Sequence, residues 1–257
     1  MRTCVSTYLI TGASSGVGAA LARRLASDGI LLALVDRGPA NDLDGVAEIC
    51  RKSGATVLTA VLDVCDETRI AEFIERAAGM EGRLDFVFAN AGIIPAAGDD
   101  VFTTTSAREL METNYFGAVN TLAPAARIMA IQGYGGLVAI TSISALVATH
   151  GSASYSASKA ALMMWTDSLR LSLRGTNVSV TNVVLGFVDT PMTHGIAHAE
   201  RLWIDSGVAS RQIIKAARRG VAIASVPSLR NYPWWFLRGS PHAVRSALLA
   251  RAYRHFH

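Results

Sequence analysis

Two hydrophobic rhythms alternate along the chain. Short runs, apolar at nearly every position, are "CVSTYLIT" (4–11), "ILLALVD" (30–36), "TVLTAVLDV" (56–64) and "LDFVFANAG" (84–92). Between them lie longer stretches whose apolar residues recur at helical spacing. A strand that is apolar on both sides needs cover on both faces, as in a parallel sheet between helices. The helical stretches carry their own punctuation. "GAALARRLASDG" closes at Gly29, "DLDGVAEICRKSG" has Gly54 just past its end, and Asp66 stands as N-cap of the helix that follows it. The pattern then predicts a long helix around 106–132, a strand "GGLVAITS" (135–142), a helix containing Tyr155, and a strand "VSVTNVVLG" (178–186). "RGVAIASVPSLR" supplies a last strand. No linker, repeat or low-complexity segment interrupts the order. The expected fold is α/β: one domain over 1–257, a doubly wound parallel sheet with helices on both faces and an irregular C-terminal third.

Composition narrows the picture. With 257 residues, 51% hydrophobic and 17% charged, the chain can bury a sizeable core and is not a disordered one. No apolar stretch approaches the ~20 residues that cross a bilayer, and the opening "MRTCVSTYLITG" does not read as a secretory leader. Cys4, Cys50 and Cys65 have no close pairing, so neither a disulfide framework nor a metal site is expected, and a cytoplasmic location fits. The net charge of +4 is unevenly spread: residues 201–257 hold ten Lys/Arg and one acid, Asp205, whereas the other fourteen basic residues face nineteen acids. Such a tail is either a solvated cationic rim or a surface for an anionic substrate or membrane. No nucleic-acid partner is expected.

Candidate chemistry begins at "TGASSGVG", from Thr11 to Gly18, between the first strand and the first helix. Gly12, Gly16 and Gly18 stand where side chains would obstruct a pyrophosphate approaching the helix N-terminus, with Ser14, Ser15 and Val17 between them. Asp36, twenty residues beyond Gly16, can accept hydrogen bonds from an adenosine ribose 2′-hydroxyl, and its charge would repel a 2′-phosphate. Arg37 next to it could instead hold that phosphate. On the repulsion argument NAD is favoured, with NADP left open.

These residues, together with "NAG" at Asn90–Gly92, Asn114, Ser142, Tyr155 and Lys159, resemble the classical short-chain dehydrogenase/reductases over roughly residues 5–195. The resemblance implies a Rossmann-like fold and an NAD(P)-dependent oxidoreductase interconverting an alcohol and a ketone or aldehyde. It assigns Asp63 and Val64 to the adenine ring, Asn90, Ala91 and Gly92 to the nicotinamide ribose, and Val188 and Thr190 to the carboxamide. Leu185–Gly186 stands where the family usually has Pro-Gly. Gly186 keeps the close backbone approach, but the pre-set proline φ is gone.

The resemblance also explains the tyrosine and lysine four residues apart in "GSASYSASKAAL" (151–162). The nicotinamide supplies a hydride, and the protein must handle a proton. Tyr155 is its carrier, and the ammonium of Lys159, on the same helix face, is expected to lower the phenol's pKa and to hold the ribose hydroxyls. Ser142 holds the substrate oxygen. Asn114 helps hold a water that links Lys159 to solvent. His150 and Ser144 are further candidates for the pocket wall.

The alternatives to an NAD-linked dehydrogenase are an NADPH-dependent ketoreductase of acyl or lipid-like substrates and a catalytically silent dinucleotide-binding protein. After Thr190, the segment about 190–215 reads as a substrate lid. The basic segment about 226–257, with Trp234, Trp235, Phe236 and Leu237 beside arginines, reads as buried against the body or a partner subunit, as a peripheral membrane contact, or as a site for a long acyl or lipid-like substrate. A homodimer through the central helix and the Tyr155 helix, or a homotetramer, is expected by resemblance.

Overall fold

The structure, a computed structural model, describes residues 6–94, 104–148, 151–193 and 203–254. Seven parallel strands form one sheet in the order β3-β2-β1-β4-β5-β6-β9. They are β1 (Ser6–Thr11), β2 (Ile30–Asp36), β3 (Thr56–Val61), β4 (Phe86–Ala89), β5 (Gly135–Ser142), β6 (Val178–Leu185) and β9 (Ile223–Val226). β7 (Val188–Asp189) and β8 (Ile204–Asp205) form a small separate ladder. The order reverses between β1 and β4, so the ends of those strands open a crevice at the carboxyl edge of the sheet.

Alternate strand residues feed two cores. Tyr8, Ile10, Leu32 and Leu34 point to one face and pack with α1 (Gly16–Leu25), α2 (Ala40–Lys52) and α7 (Ser206–Arg218). Leu9, Ala33, Val35 and Val87 point to the other and pack with α3 (Glu67–Glu81), α5 (Gly117–Gln132) and α6 (Ala153–Ser172). The pleat therefore explains why these strands are apolar on both faces over most of their length.

Several boundaries follow the expected chemistry. The Asp66 carboxylate accepts from Arg69 N at 3.1 Å, capping α3, and Gly82 ends that helix with φ +65°. Others differ. α1 begins at Gly16 and ends at Leu25, with Gly29 serving the turn into β2 (φ +75°). β3 stops at Val61 because the Asp63 carboxylate turns the chain by accepting from Cys65 N at 2.9 Å. The helix expected over 106–132 is divided into α4 (Thr104–Met111), a π-helical turn (Glu112–Phe116) and α5.

The C-terminal third is regular rather than irregular. Asp205 caps α7 by accepting from Gly207 N (2.8 Å) and Val208 N (3.1 Å), and Ala209, Ile213, Ile214 and Ala217 bury its inner face. β9 is followed by α8 (Ser228–Gly239) and α9 (His242–Arg254). Trp234, Trp235, Leu237 and Leu249 from these helices pack on a third cluster made by Ile143, Ala145, Leu146, Val147, Met163 and Val184. Phe236, expected in the same cluster, is exposed instead.

Candidate active site

Thr11 closes β1, and its hydroxyl joins two strand ends by accepting from Asn90 N (3.1 Å) and Ala91 N (3.2 Å). The Asn90 amide returns the contact, donating to Thr11 O and Gly12 O at 3.0 Å each. At Gly18 a Cβ would come 1.9 Å from Gly12 O, so only glycine lets the helix start this close to the turn. Ser15 is the N-cap of α1 but makes no side-chain cap bond, which leaves the N–H groups of the first turn for an anion.

At the far end of the loop, Asp36 accepts from Ser14 N and Gly38 N, both at 3.0 Å. Its carboxylate is thereby fixed at the cavity wall. Arg37 turns aside to Asp63, 3.6 Å away. Burial pushes the Asp63 carboxyl up, but hydrogen bonds from Cys65 and the Arg37 charge outweigh it and hold the group below its usual range.

Ser142 ends β5, and its Oγ accepts from Ser144 N at 3.1 Å, which leaves its own proton free to donate. Tyr155, on the first turn of α6, lies within reach of the Ser142 side chain. Burial raises its pKa above the ordinary phenol value, and Ser142 pulls the other way. This differs from the expected depression. Desolvation of the phenolate dominates, and the Lys159 ammonium, 6.0 Å from the Tyr155 ring centre, donates to Ile140 O at 3.1 Å. Burial lowers Lys159 itself to about 8.

Asn114 sits in the π-helical turn, fully buried. Its amide accepts from Ile93 N (2.8 Å) and donates to Ile93 O (3.0 Å) and Ser158 Oγ (3.1 Å). It thus fastens the chain after β4 to α6. A Cβ at Gly92 would lie 3.0 Å from Asn114 Oδ1 and 3.2 Å from Lys159 Nζ. The widened turn is what lets one side chain satisfy both neighbours.

One cavity of about 910 Å³ runs from Asp36 and Asp63 past the glycine loop to Ser142, Tyr155 and Lys159. Every expected site residue lines it except Thr11, Gly18 and Asn114, which stand behind the wall as braces. Gly186, Val188, Thr190 and Ser144 also line it; His150 lies outside the described residues. The wall also holds Met192, from the segment expected over the substrate, Trp234, from the aromatic cluster, and Ile94 and Phe187, which were not expected from the sequence. Thr193 was also missed: its hydroxyl donates to Val188 O at 2.7 Å and accepts from Thr190 N at 3.1 Å, which folds that segment over the cavity. The T-x-x-T spacing at 190–193 was its only signal.

A family model described as short chain dehydrogenase matches residues 6–201. The chain belongs to the short-chain dehydrogenase family. As a member it is an oxidoreductase acting on CH–OH groups with NAD(P). This dehydrogenase is 35% identical over 189 residues to cis-4-hydroxycyclohexanecarboxylate dehydrogenase of Sinomonas cyclohexanicum, covering 73% of this chain and 75% of that one. It is 36% identical over 194 residues to 1-deoxy-11-beta-hydroxypentalenate dehydrogenase of Streptomyces avermitilis, covering 74% and 72%. Among solved structures, carveol dehydrogenase from Mycobacterium avium in complex with NAD shares its fold, with TM-score 0.81, 20% identity and coverage of 88% and 97%. A short chain dehydrogenase from Mycobacterium paratuberculosis bound to NAD does so too, with TM-score 0.78, 24% identity and coverage of 87% and 97%.

The chain's residues fit a dinucleotide. The uncapped end of α1 supplies N–H donors, and Gly16 keeps the gap to Thr190 open, since a Cβ there would approach Thr190 Cγ2 to 3.0 Å. The dehydrogenase would hold the pyrophosphate on the glycine loop and the adenosine between Asp36 and Asp63. The nicotinamide would lie along Gly186–Thr190.

Proposed function

We propose that this short-chain dehydrogenase interconverts a secondary alcohol and a ketone on an apolar substrate, with Tyr155 as general acid and base and NAD(H) as the preferred cofactor. The bound nicotinamide supplies the hydride chemistry. The observation that carries the reading is the group formed by buried Ser142 and Lys159 with half-buried Tyr155, all three lining one cavity. Ser142 directs its hydroxyl proton toward a substrate oxygen. Tyr155 gives that oxygen a proton in reduction and removes it in oxidation. Lys159 orients ribose hydroxyls and takes part in resupplying the proton, with Asn114 holding the lysine's neighbourhood in place.

The NAD preference is supported by the Asp36 carboxylate, fixed toward the cavity by two backbone donors, and by the engagement of Arg37 with Asp63. A 2′-phosphate there would meet a negative charge with the nearest guanidinium already occupied. Of the segment about 190–215 expected as a substrate lid, Ser206–Arg218 forms α7, anchored in the core, and 194–202 lie outside the described residues.

We also propose a homodimer through α5 and α6, whose exposed apolar residues include Ile131, Met164 and Leu171, and a cytoplasmic location with peripheral contact to an anionic bilayer. Tyr232 and Phe236 on α8 and Val244 and Leu248 on α9 are exposed, and no acid follows Asp205 in the sequence.

The reading is tested by thermal-shift titration with NAD and NADP, then an alcohol and ketone screen with the stronger binder. Tyr155→Phe is expected to keep dinucleotide affinity and lose turnover by about 10³-fold or more, because the proton carrier is gone. An active Tyr155→Phe enzyme, or a protein indifferent to both dinucleotides, would refute it.

A further inference from the structure

The turn at Gly186 has no proline to restrain it, yet it lines the cavity beside Phe187 and Val188. Something else must hold its course. Leu185 pairs with Val226 across β6 and β9, and Gly186 N donates to Val226 O at 2.8 Å. Above this junction lies Asn231, on the first turn of α8 and only 2% exposed. Its amide donates to Val184 O at 3.1 Å and to Val226 O at 3.2 Å, bridging the ends of both strands. Its other face presses on the turn itself: a Cβ at Gly186 would come 2.4 Å from Asn231 Oδ1. A buried amide with two such bonds is costly to remove, because the carbonyls it serves lose their donor.

Three residues on, the same helix delivers Trp234 to the cavity wall. The indole packs on the cluster of Ile143, Ala145, Leu146 and Val147, just after Ser142. The helix is fastened beyond it as well, by Trp235 Nε1 donating to Ser225 Oγ and Arg238 Nη1 donating to Ala145 O, both at 3.3 Å. The charged side chains lining the cavity are Asp36, Arg37 and Asp63 at the adenosine end, and Lys159. Beyond Ser142 and Tyr155, the described wall is therefore uncharged, and Trp234 is its bulkiest member.

We propose that α8 is a working wall of the active site, in which Asn231 is a positioning residue for the Gly186 turn under the nicotinamide and Trp234 sets the size limit of an apolar ketone or alcohol. This rests on the oxidoreductase reading above. Asn231 acts on the cofactor's nicotinamide half alone, since the glycine loop and Asp36 lie on other elements. Trp234 acts on the substrate alone. The two roles are separable by ligand.

The test uses the full chain and calorimetric Kd values for NADH and for ADP-ribose, which lacks the nicotinamide. Asn231→Ala, with Asn231→Ser as the milder variant, is expected to weaken NADH about tenfold and to leave ADP-ribose within about twofold. Equal loss for both ligands, or loss for neither, would overturn the role of Asn231. For Trp234, the readout is the kcat/KM ratio of 2-decalone to cyclohexanone. Trp234→Ala should raise that ratio about tenfold or more, with Trp234→Phe between it and the parent. An unchanged ratio, or no turnover of either ketone by a protein that binds NADH, would overturn the role of Trp234. If the parent chain binds neither NADH nor ADP-ribose, the NAD-linked reading itself fails and this inference with it.

Discussion

Lys159 is almost wholly out of solvent, with its ammonium on the Ile140 carbonyl, and burial lowers its pKa from 10.5 to about 8. Between those two values the unfolded chain binds more protons at this position than the folded one. This group therefore makes the protein more stable as pH rises through that window, and least stable below it, where the buried amine is charged. Lys159→Met is expected to raise the melting temperature at neutral pH by a few degrees while weakening dinucleotide binding and turnover. Scanning calorimetry at neutral and alkaline pH checks it: the gap between parent and variant should narrow as pH rises. Rates should show a matching asymmetry, because burial keeps Tyr155 protonated. Ketone reduction, which consumes that proton, should be flat through neutral pH, and alcohol oxidation should climb into the alkaline range. An oxidation rate indifferent to pH would remove Tyr155 from the role of base.

Elements differ in how openly they announce themselves. β2 and β5 have the boundaries that their apolar runs predict, because both faces of these strands are buried and local and global demands agree. The glycine loop was equally plain, since its glycine spacing between a strand and a helix falls within eight positions, although Asn90 and Asp36, which hold it, are distant in the chain. The π-helical turn at Glu112–Phe116 was not, because its cause is distant: the Asn114 amide must reach Ile93 and Ser158. α8 was hidden for a different reason. Pro233 lies inside it and lacks the N–H of a helix interior, and Asn231 reads locally as a turn residue until Val184 and Val226 are brought beside it. The outer side of α6 also carries a testable consequence. Met164, 65% exposed, and Leu171, 58% exposed, lie seven residues apart on one side of that helix. If this side joins two copies, the parent chain runs as a dimer in light scattering and Met164→Glu shifts it to monomer; a parent that is already monomeric would rule the interface out.

At the scale of the molecule, two surface features stand out among the described residues. Arg24, Arg211, Lys215, Arg218 and Arg219 surround a shallow hollow between α1 and α7, and the exposed side chains of α8 and α9 add aromatic and aliphatic surface. Among the described residues, no helix is long and apolar enough to cross a membrane. Surface attachment by the last two helices gives a definite expectation. The full chain should sediment with vesicles containing phosphatidylserine at low salt, far less with phosphatidylcholine alone, and the Tyr232→Ser/Phe236→Ser double variant should lose most of that binding. Sedimentation that ignores lipid charge or the double substitution would argue against a bilayer contact.

Trp234 and Asn231 both lie downstream of residue 201, where the match to the family model ends. If α8 limits substrate size as proposed, that limit and proton handling are carried by separate stretches of chain. Grafting 203–254 onto a relative would transplant this protein's taste for particular ketones while the recipient kept its own relay, so the two properties are free to diverge independently in descent and in the hands of an engineer.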